Sequence, residues 1–294
     1  MAEHINFDDQ ISRNKWKSGF LIAIIFIVFI LLGYVISMFY SEGFFFVIMS
    51  VAIIFSIGYL LITYYNSDKI ALASVNAAEA KRSEYPQLYH SIEGLTIASG
   101  LPMPKVYVMQ NEQINAFASG RDPRHSVICV TTGAMKKLNK QELEGVLAHE
   151  LSHIANYDIR FMTLAAVMVG MIAIISEMFL RSLWFRSSDN DNKGNAVFLI
   201  IGIVLAILAP IAVNLVQLAI SRKREFAADA SSVKFTRYPV GLINALSKIK
   251  NDQPMKVNRA VASLFMSDPF RRKVSGLFST HPDINERISI LKKM

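Results

Sequence analysis

In the stretch GVLAHELSHIANYDI, residues 145–159, two histidines stand four apart with a glutamate directly after the first. On a helix, positions four apart differ by about 40° around the axis, so His149 and His153 project side by side. Two imidazole nitrogens held that way can share one metal ion. Glu150 is turned by about 100° from His149, near such an ion without having to ligate it. H-E-x-x-H thus supplies two zinc ligands and a general base for an activated water. The plain alternative is a solvated helix with two chance histidines. Six His and twelve Glu in 294 residues produce the pattern by chance in roughly 0.5% of chains of this composition.

A zinc site of this kind takes a third protein ligand and leaves the fourth position to water. A downstream histidine in the pattern H-E-x-x-H-x-x-G-x-x-H is excluded, because Asn156 and Ile159 stand at the Gly and His positions. Only His281 follows the motif at all. A carboxylate is therefore the better third ligand.

The element that must present the two histidines is readable. Asn139 followed three residues on by Glu142 is a capping-box pattern, so a helix starts at Lys140 and the zinc-binding helix covers 140–157. Leu143, Val146, Leu147, Leu151 and Ile154 recur along it at helical spacing and form its core face. Ahead of it, IALASVNAAEAKRSEY and PQLYHSIEGLTIASG read as helices, the second ending at Gly100. KVYVMQ and SVICVTT read as short strands, and INAFASG between them is a candidate third. After residue 221, FAADASSVKF, VGLINALSKIK, AVASLFM and PDINERISILKK read as helices, with Pro282 in the first turn of the last.

Four long apolar runs frame these segments: Ser18 to Tyr40, Gly43 to Tyr65, Phe161 to Leu180 and Ala196 to Ile220. Each is long enough to cross a hydrocarbon core of ~30 Å. The first run is too long for a signal-peptide core and no small-x-small cleavage site follows it, so it reads as a retained anchor. Three basic residues precede span one, ten lie between spans two and three, and fifteen follow span four, against three in the loop between spans three and four. That bias puts the N-terminus and both polar segments in the cytoplasm. The chain divides into a transmembrane hairpin (1–65), a cytoplasmic part carrying the zinc-binding helix (66–160), a second hairpin (161–220) and a cytoplasmic helical part (221–294). The net charge of +8 suits an anionic cytoplasmic leaflet. No phosphate loop or RNA-binding aromatic pattern argues for nucleic acid. The single cysteine, Cys129 in VICVTT, reads as a buried strand residue.

This topology narrows the third ligand. His153 lies eight residues before span three, roughly 12 Å in helical rise, and Glu225 five residues after span four, roughly 8 Å. An antiparallel hairpin of spans three and four brings the two to similar heights above one membrane face. Glu177 is at the far end of span three, and Asp189 and Asp191 are in the distal loop. Asp229 is on the same helical face as Glu225. It is placed to accept the second ring N–H of a ligating histidine, which sets its tautomer and direction. The alternative for Glu225 is a membrane-proximal partner of Arg222 or Arg224.

HELSHIAN, two apolar spans and then REFAADA resemble the HtpX-type membrane zinc metalloproteases, relatives of the CAAX prenyl endoproteases. The likeness extends to INAFASG at 114–120 and STHPDINER near the C-terminus. It implies a mainly α membrane protein with four transmembrane helices and a cytoplasmic α+β zincin-like domain carrying a small β-sheet. It implies one zinc ion on His149, His153 and Glu225, with Glu150 as catalytic base. It further implies an edge strand at Asn115, Ala116, Phe117 and Ala118 that pairs with extended substrate, and His281 and Arg287 near the developing oxyanion. The site faces the cytoplasm from a multi-pass position in the bacterial inner or plasma membrane. The implied substrates are membrane and misfolded proteins, in stress-response quality control beside other membrane proteases. A narrow-specificity CAAX-type protease is the rival enzyme. A scaffold or holdase binding unfolded segments is the non-enzymatic one, and it has no use for Glu150.

Overall fold

The structure is a computed structural model and describes residues 7–37, 42–166, 202, 222–255, 264–266 and 282–294. It opens with two long helices packed along each other, α1 (Phe7–Ser37) and α2 (Glu42–Ser74). Their windows Ile11–Leu31 and Glu42–Ser74 have mean hydropathies of 1.7 and 2.6 and are long enough to cross a bilayer. Phe46, Ile54 and Ile62 turn outward from α2, an arrangement suited to lipid and not to water. α2 leaves helical geometry at Asn66 (φ −120°, ψ 17°), one residue past the expected end of span two. The expected spans at 161–180 and 196–220 lie outside the described residues except for 161–166 and 202. Residues 158–166 are helical, and Phe161, Leu164 and Ala165 pack on Leu21 and Ile25 of α1.

The polar part is an α+β unit. Its sheet has strands β1 (Ala78–Glu79), β2 (Lys105–Met109), β3 (Ala116–Asp122) and β4 (His125–Thr131) in the order β1-β2-β4-β3. β2 and β4 run parallel, and β3 returns antiparallel to β4 as the edge strand. The candidate third strand at INAFASG is thus present from Ala116 onward. The β3–β4 turn is closed by Asp122, whose Oδ1 accepts from the Arg124 and His125 amides at 2.9 Å each.

Helix α3 (Pro86–Ser99) begins with a proline and stops at Gly100 in the left-handed region (φ 72°). The short α4 (Thr132–Lys137) leads into α5 (Lys140–Ala155), which has the full capping box between Asn139 and Glu142. The five apolar residues expected on its core face are all buried, against Ile128 and Val130 of the sheet and against Leu242 and Leu246. α5 is thereby enclosed between β3, α3, α6 (Arg222–Thr236) and α7 (Pro239–Asn251), with α8 (Ile284–Leu291) laid across α6 and α7.

Three local expectations change. Helix stops at Ser74, and residues 75–85 form turns and β1, because the chain adds an antiparallel strand to β2 there. Within AVASLFM, residues 260–263 are outside the described residues, Leu264 is in 3-10 geometry, and Phe265 and Met266 are not helical. Phe265 instead bridges antiparallel to Phe117, and the Met266 amide donates to Ala116 O at 2.9 Å. Tertiary strand pairing overrides the local propensity. Pro282 precedes the α8 cap and stays outside the helix, since the Asp283 side chain caps the Asn285 and Glu286 amides.

Candidate metal centre

α5 carries His149 and His153 one turn apart on a buried face, 0% and 5% exposed. Their Nε2 atoms stand 3.3 Å apart with the rings nearly perpendicular. α6 crosses this face and brings in Glu225, with Oε2 3.5 Å from His149 Nε2 and Oε1 3.7 Å from His153 Nε2. The three ligand atoms lie within 4.8 Å of one another. Two nitrogens each ~2.05 Å from a tetrahedral ion lie about 3.3 Å apart, so the histidines already have the spacing of a shared metal.

The charge around them also fits a cation. Glu150, Asp158, Glu225 and Asp229 are buried together with only Arg224 and Arg287 as buried counter-charges among the described residues. A buried excess of carboxylates is costly unless a cation offsets it. Glu150 Oε1 is buried and makes no hydrogen bond, which leaves it available to a water or substrate group. Two imidazoles and a carboxylate with a free general base are the donor set of a catalytic zinc site.

Each histidine is backed on its other nitrogen. His149 Nδ1 lies 3.0 Å from Asp229 Oδ1, the contact expected from the spacing of Glu225 and Asp229. Arg287, fully buried on α8, clamps Asp229 through two donors, Nε to Oδ2 at 2.9 Å and Nη2 to Oδ1 at 2.7 Å. His153 Nδ1 lies 3.0 Å from Asp158 Oδ2. Asp158 was not among the residues singled out from the sequence. The rule that found Asp229 could have found it, because two ligating histidines call for two orienting carboxylates.

Protonation follows from these contacts. Burial and Arg287 disfavour the His149 imidazolium, but hydrogen bonds to Asp229 and Glu225 outweigh them and hold its pKa up at about 9. A metal ligand must be neutral, so a cation taken up here displaces a proton. Burial pushes the Glu150 carboxyl up to about 7 against the pull of His149 and His153. A dication close by would draw it back down. Burial also opposes ionisation of Asp229, but Arg287 prevails and holds it below the usual carboxylate range.

β3 runs beside this centre. The Ala118 backbone hydrogen-bonds to Glu150, and the Ala116 amide donates to its neighbour Asn115 Oδ1 at 3.1 Å. Asn115 is itself buried. Phe117 packs edge-on against Phe265 at 5.1 Å. Part of the expected substrate edge is therefore covered by residues 264–266. Arg287 is found at the centre; His281 lies outside the described residues.

The chain is similar in sequence to known proteins. The model of peptidase family M48 matches residues 82–294. A protease HtpX homolog of Dictyoglomus thermophilum is 43% identical over 290 residues, covering 98% of this chain and 95% of its own length. The corresponding protein of Lactobacillus helveticus is 42% identical over 295 residues, covering 97% and 99%. A crystal structure of Ste24p from S. mikatae aligns over 96% of this chain and 66% of its own, with 22% identity and a TM-score of 0.48. The HExxH helix and its buried acidic partner on α6 fall inside the matched region, and the relatives extend the match through both N-terminal helices. The chain belongs to peptidase family M48 and is a membrane metalloprotease of the HtpX type.

Proposed function

We propose that the chain is a zinc-dependent endopeptidase that cleaves membrane and misfolded proteins at the cytoplasmic face, as part of membrane-protein quality control. The observation that carries the catalytic part is the convergence of His149, His153 and Glu225 beside a buried Glu150 carboxylate whose Oε1 is unbonded. The strong bias of basic residues to the N-terminal side of the spans supports the cytoplasmic orientation. Four spans, and assembly with other membrane proteases, belong to the same proposal.

His149, His153 and Glu225 would hold the zinc, which when bound supplies a Lewis acid for the scissile carbonyl and makes water more acidic. Glu150 takes the proton of the attacking water on Oε1 and delivers it to the leaving amine. Its carboxylate is anchored by the Ala118 backbone. The same contact ties the base to β3, where an extended substrate would add a strand. Such a substrate would have to take over the position held by residues 264–266. Arg287 keeps Asp229 ionised and oriented, and Asp229 in turn orients His149.

Glu150→Gln tests the roles directly. It removes a base and keeps the ligands, so zinc content should stay at the wild-type level. Cleavage of a membrane-protein substrate should fall on the order of 10²- to 10⁴-fold. Wild-type cleavage by the variant would remove Glu150 from the mechanism.

A further inference from the structure

Asn14 belongs to α1, four residues before the first apolar run opens at Ser18. Unlike its charged neighbours Arg13 and Lys15, it is buried, at 2% exposure. Its Nδ2 donates to Asp158 Oδ1 at 2.7 Å and to Asn156 O at 3.0 Å. Both partners are acceptors, so the amide nitrogen must face them. These contacts join positions 144 and 142 residues apart. The other oxygen of Asp158 faces His153 Nδ1.

The two halves of the metal centre are built alike. His149 is directed by Asp229, and Asp229 is held by Arg287. His153 is directed by Asp158, and Asp158 is held by Asn14. A carboxylate bonded through one oxygen can still swing its plane, and the imidazole it directs swings with it. A bond to the second oxygen removes that freedom. Arg224 Nη1 is 3.8 Å from the same Asp158 oxygen, too far for a hydrogen bond. It adds charge but not direction.

We infer that Asn14 is a positioning residue for the metal centre, acting on His153 through Asp158, and that the first membrane helix is a working part of that centre. α1 is braced for this task. Lys15 lies over the Tyr157 ring at 4.6 Å, and Leu21 and Ile25 pack on Phe161, Leu164 and Ala165. The helix therefore grips the chain on both sides of Asp158. A shift of α1 in the membrane is felt at His153 Nε2.

This role presupposes zinc on His149, His153 and Glu225. The test uses the full chain purified from membranes, with zinc affinity read by competition with a chelator and ligand geometry read from the visible spectrum of the cobalt(II)-substituted protein. Asn14→Ala should weaken zinc binding about tenfold and shift the cobalt spectrum. Phe20→Ala, which trims an exposed α1 side chain outside these contacts, should leave both the zinc affinity and the cobalt spectrum unchanged. With Asp158→Ala already present, adding Asn14→Ala should weaken zinc binding no further, because the two act in series. Wild-type zinc affinity and an unchanged cobalt spectrum in Asn14→Ala would overturn the inference, as would fully multiplicative losses in the double variant. Should Asn14→Ala fail to accumulate in the membrane, Asn14→Gln displaces the donor by one methylene, and the same weakening and spectral shift are required of it. A wild-type chain that takes up neither zinc nor cobalt would instead contradict the zinc assignment itself.

Discussion

Replacing Gly145 by alanine should destabilise the protease part and disturb the metal centre, although alanine is the better helix former. Gly145 lies on α5 one turn before His149, where α7 crosses closest. A Cβ at this position would meet Leu242 N at 2.7 Å and Leu242 Cα at 2.9 Å. Both are backbone atoms and cannot rotate aside. Restoring an ordinary contact of about 3.4 Å requires α7 to withdraw by roughly 0.7 Å. A Cβ on Gly241 of α7 would likewise meet the Gln141 carbonyl oxygen at 2.5 Å, so the two helices cross closely at more than one point. Withdrawal also loosens Leu242 and Leu246 from the core they share with Leu143 and Val146. Alanine gains about 1 kcal/mol of helix propensity, and overpacking costs about 1–3 kcal/mol. The expected balance is a loss of up to about 2 kcal/mol. Gly94 on α3 provides the opposite case. It is exposed, and a Cβ there meets nothing within 4 Å, so Gly94→Ala should stabilise by up to about 1 kcal/mol. Thermal denaturation of both variants under the same conditions gives the comparison. A Gly145→Ala variant as stable as Gly94→Ala would refute the close-crossing reasoning.

Tyr157 holds a left-handed backbone (φ 58°) just past the end of α5. Tyr157→Gly should therefore be more stable than Tyr157→Ala by about 1 kcal/mol. Equal melting temperatures for the two would argue against backbone strain there. Single cysteines at Asn192 and Lys234 should react differently with a membrane-impermeant reagent added outside intact cells: Asn192→Cys should label and Lys234→Cys should not. Cys129 can remain in place for this test, since it is fully buried and burial pushes its thiol pKa up. Labelling at position 234 would place α6 outside and contradict the cytoplasmic orientation of the site.

The parts legible in the sequence are those whose signals are local. Asn139 and Glu142 announce α5, and its apolar spacing gives its buried face. Glu225 needed one further step, the expectation that the two apolar runs between it and the histidines return the chain to the same side, and the geometry brings it to them. Asp229 came from helical spacing relative to Glu225. Asp158 follows the same chemical requirement but lies beyond the end of α5, where helical spacing no longer indicates direction. Asn14 had no local signal, because its two partners are more than 140 residues away. The strand-like seat of residues 264–266 was hidden by an apolar, helix-compatible composition, and only the unpaired edge of β3 accounts for it.

The central claim is that His149, His153 and Glu225 together hold one zinc. Its most direct test is zinc titration of the purified full chain alongside His149→Ala, Glu225→Ala and Asp229→Ala. The wild type should bind a single zinc tightly. Glu225→Ala should lose affinity about as severely as His149→Ala, and Asp229→Ala should lose less, on the order of 10- to 100-fold. Full zinc occupancy of Glu225→Ala at nanomolar free zinc would contradict the assignment.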